Sequence, residues 1–153
     1  VARLLTRAAG ALLGRPDEAL LHALTGRKKG GPDEARAAGY GQALGKGRRA
    51  LETGQFGEAL FHFARASELR PEEPWPWHGR GDALQLSGDF EAALSAYDQA
   101  IERAPTLALA HNGRGNALKG LGRSEQARAA WERALELDAS LPWPAEALSA
   151  LDG

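Results

Sequence analysis

The side chains that could do chemistry in this chain are few, and their spacing does not gather them. The four histidines, His22, His62, His78 and His111, are scattered; His78 and His111 stand far apart along the chain, not at the spacing of a metal-ligand pair. His78 and Asp82 lie one helical turn apart and can hydrogen-bond, but no Ser or Thr nucleophile is tied to them by a motif. Zero cysteines exclude disulfides, thiolate metal sites and a thiol nucleophile, and leave the redox compartment open. Glu72 and Glu73 fall at a turn, where solvated charge is the default. The run GRKKGG at residues 26–31 sets three cations between glycines, which suits a phosphate-rich partner. It has no aromatics to stack bases and no phosphate-loop spacing, so it reads as a solvated loop tip. No catalytic residue, metal, cofactor or nucleic-acid partner is expected.

What the sequence does organise is a repeat. One constant shift along the chain superposes Gly47, Gly81 and Gly115; Gly54, Gly88 and Gly122; Ala59, Ala93 and Ala127; the aromatics Phe63, Tyr97 and Trp131; and Ala66, Ala100 and Ala134. Each unit closes at Pro71, at Pro105 and, with the proline lost, at Ala139. Apolar and small residues recur at helical spacing on both sides of a central Gly, so each unit predicts two helices joined by a tight turn. This pattern resembles the tetratricopeptide repeat, with which it shares a period of about 34 residues. The resemblance covers three units, residues 40–73, 74–107 and 108–141; the first is the weakest, with Ala43 where Trp77 and His111 stand in the others. It implies an all-α fold: a right-handed superhelical solenoid of antiparallel helix pairs.

Pro32, Asp33 and Glu34 suit the start of the first helix of unit one, so the repeat region is set at residues 32–141. Two faces of the first helices behave differently. Ala50, Leu84 and Leu118 share a face with the Gly47, Gly81 and Gly115 column and stay small or apolar, as a stacking surface must. The other face changes chemistry in every copy: Gly41, Trp75, Leu109; Leu44, His78, Asn112; Arg48, Asp82, Asn116; Leu51, Gln85, Lys119. In proteins of the family it resembles, the first helices line a concave groove for an extended peptide or partner helix. The candidate binding residues are therefore Leu44, Arg48, Trp75, His78, Asp82, Gln85, Asn112, Asn116 and Lys119. The clamp of Lys, Asn and Arg with which chaperone-binding members grip a terminal carboxylate is not expected. Its positions carry Leu44, Arg48, Gly79, Leu109 and Gly113, of which only Arg48 could serve. A second recurring column, Lys46, Arg80 and Arg114, reads either as a positive ladder or as one half of ion pairs within each repeat. The pairs are favoured, Arg80 with Asp98 and Arg114 with Glu132, each joining equivalent positions of its own unit, with Ala64 leaving Lys46 unpartnered.

The flanks complete the plan. Val1, Leu4, Leu5, Ala8, Leu12 and Leu13 form a stripe ending at Gly14, and Pro16 opens a second short helix with Leu20 and Leu24 inward. This N-terminal helix pair and linker, residues 1–31, reads as a cap on the first repeat; a basic amphipathic helix on a membrane is the sharper alternative, against which stand the short stripe and its lack of Trp or Phe. Residues 142–153 read as a capping helix, Leu148 and Leu151 covering unit three and Trp143 either stapling the junction or standing exposed as a contact, with the staple favoured. Residues 1–50 carry ten Lys or Arg against four Asp or Glu, and residues 51–153 nine against sixteen. That asymmetry admits an anionic ligand on the basic half, with salt-sensitive binding. No apolar run approaches the length of about 20 residues that a spanning helix needs, so membrane contact is not expected. A start at Val1 with no methionine suggests a segment of a longer protein, and a cytoplasmic setting is the expectation. Function is expected to be protein interaction, with a self-associating scaffold built through the N-terminal helices or the stack's edges as the alternative.

Overall fold

The computed structural model describes residues 31–152, and every regular element among them is an α-helix. In chain order these are α1 (Pro32–Glu52), α2 (Phe56–Leu69), α3 (Trp75–Leu86), α4 (Phe90–Arg103), α5 (Ala108–Gly120), α6 (Ser124–Leu137) and α7 (Pro142–Asp152). The chain separates into two compact units, Val1–Ala35 and Arg36–Gly153, and the second runs from the first turns of α1 through the three helix pairs to α7. The expected N-terminal helix pair and the basic run at residues 26–30 lie outside the described residues.

Each pair turns in the same way. After α1, the N–H of Gln55 reaches back to Ala50 O at 2.8 Å and that of Gly54 to Leu51 O at 3.0 Å. This double closure requires a residue in the left-handed region, and Gly54, Gly88 and Gly122 supply it with φ of 73°, 87° and 74°. The same two bonds recur at Gly88 and Asp89 and at Gly122 and Arg123. Asp89 then caps α4, its carboxylate accepting from the Ala92 N–H at 3.2 Å. Where unit three lacks its proline, Asp138 ends α6 differently, accepting from the Ser140 N–H at 3.0 Å and the Ser140 hydroxyl at 2.6 Å. Those two bonds hold the Asp138 carboxyl below its ordinary value.

The core is a row of rings between glycines. Phe63, Tyr97 and Trp131 are all buried on the second helices. A Cβ added at Gly47 would lie 2.7 Å from the Phe63 ring, and one at Gly79, on the next repeat, 2.5 Å from it. Gly81 and Gly113 flank Tyr97 in the same way, and Gly115 meets Trp131. The rings fill the space that glycine leaves, so an interior Gly that costs α3 about 1 kcal/mol in helix propensity is retained for packing. Ala59, Ala93 and Ala127 together with Ala66, Ala100 and Ala134 close the core with no exposed surface.

At the C-terminal end, Ala147, Leu148 and Leu151 of α7 pack against the cluster of Leu118, Ala127, Ala130 and Trp131. Trp143 does not staple the junction, for it is 54% exposed while the neighbouring Pro144 is fully buried. The reason is register: one repeat length separates Trp143 from Leu109, and another separates Leu109 from Trp75, which places Trp143 in the groove column. The ion pairs also differ from the sequence expectation. Arg114 pairs with Asp98 of the preceding unit, Nε to Oδ1 at 2.7 Å, while the Arg80 guanidinium lies 5.0 Å from the Trp77 ring centre. A second helix sits between the first helix of its own repeat and that of the next, so its side chains can pair across either junction.

Candidate functional site

A pocket of about 430 Å³ opens between α1 and α3. Leu44, Leu51 and Trp75 give it apolar walls, Phe63 and Gly79 line it from the ring layer, and Arg48, His78 and Asp82 supply its polar groups. Five of the nine sequence candidates, Leu44, Arg48, Trp75, His78 and Asp82, meet in this one cavity. Helical spacing puts them there: in α3 Trp75, His78 and Asp82 follow one another on one face, and Leu44, Arg48 and Leu51 do the same on α1. Trp75 is 42% exposed, a large aromatic side chain at the pocket.

The polar groups on α3 are already organised. The Tyr97 hydroxyl donates to Asp82 Oδ1 at 2.7 Å, with Gln85 Oε1 a second acceptor at 3.3 Å. His78 Nδ1 lies 3.2 Å from Asp82 Oδ2, so both carboxylate oxygens are engaged. Burial first, and the adjacent Asp82 carboxylate second, push the Tyr97 phenol far above its ordinary value, and it remains a donor at any physiological pH. The His78 ring makes edge contacts with Trp75, centroids 6.0 Å apart, and with Tyr97, 5.6 Å apart.

The remaining candidates lie further along the face. Asn116 Oδ1 accepts from Trp131 Nε1 at 3.1 Å, and Lys119 Nζ sits 6.0 Å from the Trp131 ring centre. Asn112 Oδ1 is buried with no hydrogen-bond partner. Asp82, Gln85 and Asn116 are thus tied to the ring layer beneath them. The sequence carried a signal for this: the acceptors Asp82 and Asn116 occur where the ring has a polar group, Tyr97 or Trp131, and Arg48 occurs where it is Phe63. The lining role of Phe63 gave no such signal, because it reads as core alone.

The clamp positions Gly79 and Gly113 are closed by the rings they face, so no longer side chain fits at either. Among the described residues no three His, Asp or Glu side chains gather as metal ligands. No helix among them is long and apolar enough to cross a membrane.

Two family profiles match the chain, one described as TPR repeat over residues 81–122 and one as tetratricopeptide repeat over residues 108–140. No curated protein matches. Solved structures with the same fold include the first TPR of Spaghetti (RPAP3) bound to the HSP90 peptide SRMEEVD, 23% identical with a TM-score of 0.71 over 74% of this chain and 90% of that one. The second TPR domain of human RPAP3 in complex with the HSP70 peptide SGPTIEEVD is 19% identical, TM-score 0.72, over 77% and 98%. The Yersinia enterocolitica type III secretion translocator chaperone SycD, in an alternative dimer, is 18% identical, TM-score 0.70, over 74% and 91%. The recurring columns, the glycine-turned helix pairs and these matches together show an all-α, TPR-like helical solenoid with tetratricopeptide repeats matched over residues 81–140.

Proposed function

We propose that this chain is a protein-interaction module that holds an extended peptide or a partner helix along its first helices. The observation that carries the reading is the pocket between α1 and α3, where Leu44, Arg48, Trp75, His78 and Asp82 converge around an apolar cavity large enough for a side chain. Gln85, Asn112, Asn116 and Lys119 continue the face along the same helices. The peptides held by the two RPAP3 structures support a groove of this kind. The closure of Gly79 and Gly113 speaks against a terminal-carboxylate clamp and for recognition of an apolar side chain beside Arg48.

The test is a screen of 12-residue peptides against the chain, read by nuclear magnetic resonance of the indole N–H groups. A groove ligand shifts the Trp75 resonance, and Trp75→Ala weakens it about tenfold or more, as an aromatic anchor should. Peptides that bind with no response at Trp75 and no loss in Trp75→Ala and Arg48→Gln would sink the proposal. A second reading rests on Trp143, 54% exposed in the same register as Trp75, which extends the face toward a second copy of the chain. Mass by light scattering that rises with concentration, and does not in Trp143→Ala, supports that alternative.

A further inference from the structure

The two junctions between successive repeats differ in whether the recurring arginine meets a carboxylate. Between units two and three, Arg114 on α5 binds Asp98 on α4, with 2.7 Å from Nε to Oδ1. The same places one repeat earlier are held by Arg80 on α3 and Ala64 on α2. Arg80 lies against the Trp77 ring and pairs with no carboxylate among the described residues. Trp77 is itself flanked on Arg103, 4.3 Å from its ring centre, and its Nε1 is buried without an acceptor.

Where Asp98 would have a counterpart, a cavity of about 510 Å³ opens between α2 and α4 over α3, sharing no lining residue with the groove pocket. Arg80 is the only charged residue in its lining, and the aliphatic and aromatic walls include Leu60, Trp77 and Leu84. Phe61 also lines it and is 67% exposed, the most exposed of the large apolar side chains among the described residues. The chain thus shows at one junction the carboxylate that this arginine column takes, and at the other an open apolar cavity with the arginine in place and the carboxylate missing.

We propose that this cavity is a second docking site, taking an acidic segment of a partner protein. A partner Asp or Glu pairs with Arg80 as Asp98 pairs with Arg114, and a neighbouring large apolar side chain covers Phe61 and fills the space beside Ala64. The partner's charge is fixed by complementarity, since a cation with no internal anion lines an otherwise uncharged cavity.

The experiment uses the full chain and an array of 12-residue peptides, blocked at both ends, each with Glu or Asp four residues from Trp, Phe or Leu, beside twins carrying Gln or Asn. Acidic members are expected to bind about fivefold more tightly than their twins, the size of a partly exposed ion pair. The best of them shifts the Trp77 indole N–H and leaves that of Trp75 in place. Arg80→Gln removes the preference, and Ala64→Asp removes it too by giving Arg80 an internal partner, whereas Arg48→Gln in the groove retains it. No preference for acid, a preference that survives Ala64→Asp and Arg80→Gln, or a response at Trp75 with none at Trp77 overturns the proposal. Concentration-dependent mass abolished by Ala64→Asp overturns the assignment to a different protein, because the occupant is then a second copy of this chain.

Discussion

The substitution Gly79→Ala isolates the ring layer from helix propensity. On propensity alone it should help, because Gly inside a helix costs about 1 kcal/mol relative to Ala. The new methyl, however, would stand 2.5 Å from two atoms of the Phe63 ring, and the ring has nowhere to retreat, since a Cβ position at Gly47 lies 2.7 Å from its other face. Overpacking of this kind costs about 1–3 kcal/mol, and a ring held on both sides belongs at the upper end. Subtracting the propensity gain leaves a net destabilisation of about 2 kcal/mol, near a 1 M drop in the urea midpoint at the m-values usual for a small domain. Gly45→Ala is the control: in the same column one repeat earlier, its added Cβ meets nothing within 4 Å, so it should raise stability by roughly 0.4–1 kcal/mol. The assay is urea unfolding followed by far-ultraviolet circular dichroism on the two variants and the parent. A Gly79→Ala protein as stable as Gly45→Ala would refute the reasoning.

Two further outcomes follow from the same layer. The Tyr97 phenol is held protonated in the folded chain while an unfolded tyrosine ionises near its ordinary value of about 10, so the unfolded state loses the proton first. Stability contributed here is complete below that pH and falls above it, by up to about 1.4 kcal/mol per pH unit, and the slope should flatten in Tyr97→Phe when unfolding is measured from pH 9 to 11. Phe63→Tyr places a hydroxyl where Arg48 offers no acceptor and should cost about 1–3 kcal/mol for the unmet group. Adding Arg48→Asp, which copies the Tyr97 and Asp82 arrangement, should recover more than half of it in a double-mutant cycle. A cycle with no coupling removes the claim that these two columns vary together for bonding reasons.

The repeat plan was legible because it is written in backbone requirements. A left-handed turn at Gly54, Gly88 and Gly122 and a ring facing glycine leave few residue types free, so those columns persist across copies. The face proposed as the groove stands out for the opposite reason, as the one whose columns change from copy to copy. What the sequence could not convey is which neighbour a side chain meets when two are equally near in the chain. Asp98 lies almost midway between Arg80 and Arg114, and only the stacking of α4 between α3 and α5 decides for Arg114. Trp143 reads as a staple beside two prolines, but it is Pro144 that turns inward. Asp82 and Asn116 bond to Tyr97 and Trp131 in the layer below, which spacing along one helix does not reveal and which only the matching change of the two columns signals.

The glycine-bounded rings have a consequence for how such a chain can change length. Phe63 touches Gly79 and Tyr97 touches Gly113, so each ring is the joint by which one repeat fastens to the next, and both halves of the joint recur once per unit. Excising residues 74–107 would bring Gly113 opposite Phe63, the same half-joint on a new neighbour. A cut one position shorter or longer would set Asn112 or Arg114 against the ring instead, each with a Cβ where the joint has no room. The stack is therefore a chain of interchangeable links, in which whole units are the pieces that can be lost or gained without breaking a joint.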